Sequence, residues 1–135
     1  MPVASDDFER TSLGPNWEVF LGTVVLDGRY AKGGQYGDNA ASFRATAFGP
    51  DQFSEIVIGP GLAQNNWVYA IVRRSASPWG YYEAATDGVT DLRISKIVGG
   101  QWTLLATTTA AFPINAGTAI RLIANGSRAE TSDAE

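Results

Sequence analysis

Acid–base catalysis needs side chains that exchange protons near neutral pH, and this chain is poor in them. Its 135 residues include no histidine and no cysteine. The commonest general base, the thiol nucleophile and every Ser-His arrangement are therefore excluded. The net charge is −4 and the only adjacent basic pair is Arg73-Arg74, which argues against nucleic acid as a partner, because such binding relies on clustered lysine and arginine.

Glycoside hydrolysis would need two carboxylates about 5–9.5 Å apart across a groove. Glu55 and Glu83 are the candidates, since both fall on predicted strands, but neither has a second carboxylate two residues away on its own face. Buried glutamate is rare. We therefore interpret both as surface acids that are solvated or paired with arginine, name Arg74 as the expected partner of Glu83, and expect no enzyme.

Calcium would need several oxygen ligands on one loop. Asp87 with Asp91, or Asp38 with Asn39, could supply such oxygens, but no Asp-x-Asp-x-Asp spacing occurs. Aspartate and asparagine also stabilise turns through their own side chains, and we favour that role for all four. The prediction is that the protein has no cofactor, with calcium left open as the one alternative.

The densest aromatic stretch is SASPWGYY, residues 75–82, where three rings lie beside a proline and a glycine. Sugars are held by aromatic faces together with planar hydrogen-bond donors such as arginine. If strand 67–74 pairs with strand 81–86, Arg74 lies opposite Tyr81 and Arg73 opposite Tyr82. Tyr81 and Tyr82 then point to opposite faces of the sheet, so they cannot form one stacking platform.

This pairing places an amphipathic set of side chains on one face: Trp67, Tyr69, Ile71, Arg73, Tyr82 and Ala84. The other face would carry small apolar residues that read as core. Trp79, at the tip of the loop, would add an exposed ring. The candidate ligand site is therefore Trp79, Tyr82, Arg73, Tyr69 and Trp67. The alternative is that the rings fill the core, and for Trp79 the two readings are equally supported.

The elements that must position these residues are short strands. Helical periodicity is scarce, whereas alternation and short apolar runs bounded by turn-forming residues recur. Ten strands are predicted, at 17–21, 23–26, 29–31, 41–47, 52–58, 67–74, 80–86, 91–98, 101–108 and 118–124. Tight hairpins are expected at Asp27-Gly28 and Gly99-Gly100. Many short, evenly spaced strands indicate an all-β, antiparallel sandwich of two sheets.

The C-terminal residues do not fit this pattern. Asn125-Gly126 is typical of a hairpin turn, but residues 127–135 are polar and poorly suited to burial. We therefore predict one domain at 1–126 and a polar tail at 127–135. The last strand would be missing or supplied by another chain, and strand 118–124 would be an unpaired edge. No stretch is apolar enough to span a membrane, and the start MPVASDDFER has no apolar leader segment.

One set of N-terminal residues resembles the opening of concanavalin A-like, laminin-G-like jelly-roll domains, in which "D-x-F-x-R … L-G-x-x-W" is common: Asp6-Asp7-Phe8-Glu9-Arg10, Leu13-Gly14 and Asn16-Trp17. The resemblance continues in order through 54–58, 69–73 with 80–82, 92–97, 99–100 and 104–106, and closes on 120–122 with 125–126. It implies a jelly roll. Two departures are the absent further C-terminal strands and the absent Glu-x-Asp-x-x-Glu strand of laminarinase-like relatives.

The resemblance implies non-catalytic binding of a carbohydrate or cell-surface glycan, as in a lectin or adhesion module, and related domains often hold calcium. Modules of this kind occur in phage tail and capsid proteins. We therefore expect a decoration, tail or receptor-binding protein on the phage virion surface, or an extracellular setting, working as a homo-oligomer or beside neighbouring virion subunits. The alternative is a purely structural decoration or assembly domain, completed by a neighbouring subunit, with no sugar ligand.

Overall fold

The computed structural model describes residues 3–35, 37–60, 67–76, 79–86, 91–109, 114–126 and 128–134, and for 128–134 it describes the backbone. Within these residues the chain is all-β, with antiparallel sheets and no helix. The chain forms two compact units, Met1–Phe48 and Gly49–Glu135. All ten strands predicted from the sequence are present, most of them within one or two residues of their expected bounds.

The part of the first unit that the structure describes contains four short strands, which pair as two antiparallel ribbons. They are β1 (Trp17–Leu21), β2 (Val24–Leu26), β3 (Ala31–Gly33) and β4 (Ala40–Phe43). β1 pairs with β4, and β2 pairs with β3. The β2–β3 loop is four residues long rather than the tight turn expected at Asp27-Gly28. Its geometry is held by the Asp27 carboxylate, which accepts hydrogen bonds from the backbone N–H groups of Arg29 (3.0 Å) and Tyr30 (2.9 Å).

Within its described residues, the second unit contains seven strands in two antiparallel sheets. The strands are β5 (Gln52–Val57), β6 (Val68–Ala76), β7 (Trp79–Thr86), β8 (Asp91–Val98), β9 (Gln101–Thr109), β10 (Ala119–Asn125) and β11 (Arg128–Ala134). One sheet has the order β6-β7-β8-β9 and the other β11-β10-β5. The tight β8–β9 hairpin is confirmed: Gly99 (φ 58°) and Gly100 (φ 83°) supply the two positive φ angles of a type I′ turn.

The core of this unit lies between its two sheets. Alternate residues of β6, β7 and β8 face alternate residues of β10, and β7 is buried on its other face as well. The buried cluster consists of Ile58, Ala70, Val72, Ala84, Leu92, Ile114, Ile120, Leu122 and Ala124, with Ile56, Val68 and Tyr82 packed against it. The arrangement agrees with a β-sandwich.

The residues expected to form a polar tail contain a strand. β11 pairs with β10 along its whole length, from Ala119 opposite Ala134 to Asn125 opposite Arg128. The expectation of an unpaired edge at 118–124 is therefore wrong, since β10 has β5 on one side and β11 on the other. A strand at the margin of a sheet is held by its backbone, so it needs no apolar alternation. Gly126, at φ 61°, allows the chain to turn back.

Gly80, inside β7, occupies a position with no room for a side chain. A Cβ there would collide with the carbonyl oxygen of Ile97 and approach the Cα of Val98 to 3.3 Å. We expect Gly80→Ala to lower the free energy of unfolding by about 1–2 kcal/mol in urea denaturation, because the paired backbone of β8 cannot rotate away. Gly49→Ala is the control, since an added Cβ there meets nothing within 4 Å. Equal losses in the two variants would contradict this account.

Candidate binding surfaces

A β-bulge in β6 determines where the predicted ligand-site residues lie. Val72 lies opposite Tyr82 and Ser75 opposite Gly80, so Arg73 and Arg74 together face one residue, Tyr81. The expected pairing of Arg73 with Tyr82 is therefore wrong. Because side chains alternate between faces, this one-residue shift moves Tyr82 to the core face, where it packs against the buried cluster.

Arg73 is the residue that makes the bulge, with a φ of 52° that is unusual for a residue with a side chain. Its backbone N–H donates to the Gln52 side chain at 2.7 Å. Its guanidinium donates to the carbonyl oxygens of Pro50 at 2.8 Å and Gly126 at 2.5 Å. These three bonds hold the strained backbone in place. The Arg73 guanidinium thus ties the start of β5 to the β10–β11 turn.

Tyr69 lies on the face of β6 opposite to the core, and Trp67 directly precedes β6. Tyr69 lies across from Ala85, and Ala85 lies across from Arg93 of β8. The Arg93 guanidinium carbon lies 4.4 Å from the centroid of the Trp67 ring, within cation–π distance. Trp67 is still 37% exposed. Sequence reasoning missed Arg93, which only the three-strand register brings to this ring.

Trp79 lies at the opposite end of the sheet. It begins β7, is half-buried, and makes an edge-to-face contact with Tyr81 at a centroid distance of 5.8 Å, so the expected exposed ring at a loop tip is wrong. Seven residues of β7 separate it from Thr86, which lies opposite Val68. At the rise of an extended strand this is ~23 Å. Trp79 and Trp67 therefore cannot contact one sugar ring, and the five predicted residues do not assemble into one site.

The two glutamates have different environments. Glu55 accepts a hydrogen bond from Arg121 Nε at 2.8 Å, which confirms it as an arginine-paired surface acid. Glu83 is only 9% exposed, so its interpretation as a surface acid is wrong. Its neighbours on the same face of the sheet are buried as well: Tyr81, Ala85, Ser95 and Ile97. The residue directly opposite Glu83 in the register is Ile71, and the pairing of Glu83 with Arg74 stays a prediction.

The turn role proposed for Asn39 is confirmed. Its Oδ1 accepts from the backbone N–H of Thr23 at 2.9 Å, and its Nδ2 donates to the carbonyl oxygens of Gln35 and Gly37 at 2.8 and 3.0 Å. Asp91 begins β8, and Asp87 lies outside the described residues. In the part of the chain that the structure describes, no group of three or more potential metal-ligating side chains comes together.

Asp6, in the N-terminal motif, is the centre of a hydrogen-bond network. Its carboxylate accepts two bonds from the Arg10 guanidinium (2.6 and 2.8 Å), one from the Trp17 indole N–H (2.7 Å) and one from the Phe8 backbone N–H (2.8 Å). The bond from Arg10, above all, holds the pKa of Asp6 far below its ordinary value. The same pair raises the pKa of Arg10. Phe8, Arg10 and Trp17 therefore all donate to the same carboxylate, which accounts for the spacing of these residues in the motif.

The most extensive exposed apolar feature of the described residues is β9, whose nine residues are all exposed. Trp102 is 53%, Leu104 43% and Leu105 46% exposed. β9 forms one margin of the four-stranded sheet and contains no charged residue. Trp102 lies opposite Ile97 on one face, and Thr108 lies opposite Leu92 on the core face. Trp102 and Leu104 therefore lie on the face opposite to the core, and Leu105 is the extra residue of a β-bulge beside Leu104.

Sequence reasoning predicted β9 as a strand but did not identify it as a surface. The available signal is QWTLLATTT, residues 101–109, which lacks the lysine, glutamate or proline that usually protects a sheet margin.

Comparison with protein-family models, curated proteins and solved structures finds no match to this chain. The fold itself defines the class of protein: the described residues form antiparallel β-sheets, and the second unit is sandwich-like. No helix among the described residues is long and apolar enough to cross a membrane.

Proposed function

We propose that this chain is a non-catalytic structural module, which assembles with neighbouring protein subunits through the margin of β9. The observation that carries the proposal is the exposure of nine consecutive uncharged residues along that strand. A structural assembly domain was the alternative function that the sequence suggested, with strand 118–124 as its contact. The proposal keeps that function and assigns the contact to β9. The concanavalin A-like jelly roll and the phage virion setting are proposals as well, supported by the ordered sequence motifs.

The physical basis is the chemistry of a sheet margin. A marginal strand presents a row of N–H and C=O groups that a further strand can satisfy. Main-chain hydrogen bonds then give affinity, and side chains on alternating faces give specificity. Water competes for the backbone groups, but burial of Trp102, Leu104 and Leu105 on association would add the hydrophobic contribution that makes such contacts stable.

Carbohydrate binding is the second candidate, and one observation favours it. Tyr69 lies on the face of β6 opposite to the core, Trp67 directly precedes that strand, and Arg93 lies beside the Trp67 ring. An exposed ring next to a planar cation is the chemistry that holds sugars. This surface is less complete than that of β9, because Arg93 stacks over the Trp67 ring and because Tyr82, Arg73 and Trp79 lie elsewhere.

The proposal is tested with Leu104→Lys, which places a charge on the proposed contact. Leu104 is already exposed, so the fold should tolerate the change. In sedimentation velocity over a concentration series, we expect the wild-type chain to associate and Leu104→Lys to stay monomeric. Val57→Lys is the matched control, since Val57 is exposed on the marginal strand β5. It should associate like the wild type.

A glycan array separates the two candidates. We expect no signal from the wild-type chain. A wild-type chain that stays monomeric at every concentration would contradict the assembly proposal. A defined glycan signal that is lost in Trp67→Ala would establish carbohydrate binding in its place.

A further inference from the structure

We infer that the strand completing β9 is β9 of a second copy of this chain, antiparallel to the first and related to it by a two-fold axis. The inference rests on the proposed assembly function and specifies its partner. The two four-stranded sheets would join into one continuous sheet of eight strands.

Among the strands of the second unit, charge at the sheet margins selects this partner. The four marginal strands described in the second unit are β9, β6, β5 and β11. β6 carries Arg73 and Arg74 at its bulge, β5 carries Glu55, and the sequence of β11 includes three charged residues. Of these four strands, β9 alone has no charge. Pairing it with any of the others would bring charged side chains beside Trp102 and Leu104, and their partial removal from water carries a desolvation cost that pairing of β9 with itself avoids.

Symmetry points to the same partner. Contact between β9 and a different strand of the next copy is head-to-tail, and it gives a ring or an open filament that needs more than one kind of surface on each copy. Contact between β9 and itself uses one patch on each copy and closes as a dimer. Leu105 is the extra residue of a β-bulge in the pairing of β9 with β8. An antiparallel register centred near this residue pairs 101–104 of one copy with 106–109 of the other, whereas any shift leaves more residues unpaired at the ends.

The two-fold geometry predicts which single-cysteine variants can form a disulfide between the two copies. Near the two-fold axis, each residue lies beside the same residue of the second copy. At the end of the strand, antiparallel pairing puts Gln101 opposite Thr109 of the other copy, so two Gln101 residues lie ~27 Å apart, eight residues of extended chain. A disulfide needs Cβ atoms about 4 Å apart. Because the chain has no cysteine of its own, any covalent dimer reports the introduced residue.

The experiment is mild oxidation of Leu105→Cys, Leu104→Cys, Gln101→Cys and Val57→Cys, followed by non-reducing electrophoresis. All four positions are exposed, and thermal unfolding verifies that each variant folds. We expect Leu105→Cys or Leu104→Cys to form covalent dimer at least about tenfold faster than the other two, because docking raises the local thiol concentration. Ladders of higher oligomers are not expected.

The possible failures are distinguishable. Equal dimer yields at Gln101 and Leu105 would indicate parallel pairing, and fastest cross-linking at Val57 would indicate contact through β5. Either result overturns the two-fold β9 contact, and so does association that is lost in Leu104→Lys without cross-linking at Leu104 or Leu105. If the wild-type chain does not associate at all, the proposed function itself fails.

Discussion

Replacing Leu122 by alanine should lower the free energy of unfolding of the second unit by about 3–4 kcal/mol. Leu122 is fully buried in β10, between Ile120 and Ala124 on the face that forms the core. Removing three carbons there loses hydrophobic transfer energy and leaves a cavity, which strands fixed by backbone pairing on both sides cannot close. Urea denaturation followed by tryptophan fluorescence measures the change.

Leu105→Ala is the matched control, because the same side chain is removed from an exposed position. At a protein concentration where the chain is monomeric, we expect it to change stability by less than about 0.5 kcal/mol. Similar losses in the two variants would mean that the core does not lie between the sheets as described.

The second large effect concerns Asp6 in the first unit. Asp6→Asn should destabilise that unit by about 2–3 kcal/mol, because charge-assisted bonds to the guanidinium, the indole and the backbone are weakened together. The indole N–H resonance of Trp17, followed through urea denaturation by NMR, reports on this unit. Asp7→Asn is the control, since Asp7 makes one exposed bond to the Glu9 N–H. It should have little effect.

The same network predicts a dependence on pH. The pKa of Asp6 is lower in the folded chain than in the unfolded chain. The stabilisation from Asp6 is therefore complete above the unfolded pKa of about 3.9 and is lost as the pH falls toward the folded pKa. The stability difference between the wild type and Asp6→Asn should shrink steadily below about pH 4. A difference that stays constant from pH 7 to pH 3 would exclude this role of Asp6.

The strands were predictable because their signals are local. The strands at Trp17–Leu21 and Asp91–Val98 have the expected bounds, since alternation and turn-forming residues mark both ends of each. β11 escaped prediction because a marginal strand can be polar, and its pairing with β10 depends on the neighbouring strand rather than on its own pattern.

The binding residues were less predictable, and the bulge at Arg73 explains why. Nothing in the sequence VRRSASP indicates that an arginine takes a positive φ, because the bonds that hold it come from Pro50, Gln52 and Gly126, far away along the chain. The extra residue in β6 shifts its pairing with β7 by one position, so Tyr82 lies on the core face of the sheet and not on the opposite face. The exposure of β9 is likewise non-local, because it depends on which strand lies at the margin of the sheet.

The central claim, that β9 joins neighbouring subunits, is tested most directly by the concentration dependence of sedimentation for the wild-type chain beside Leu104→Lys. We predict that the wild type sediments faster as its concentration rises, up to the dimer expected for a closed β9 contact, while Leu104→Lys stays at the monomer value. A wild type that stays monomeric throughout, or a Leu104→Lys variant that associates equally well, would contradict it.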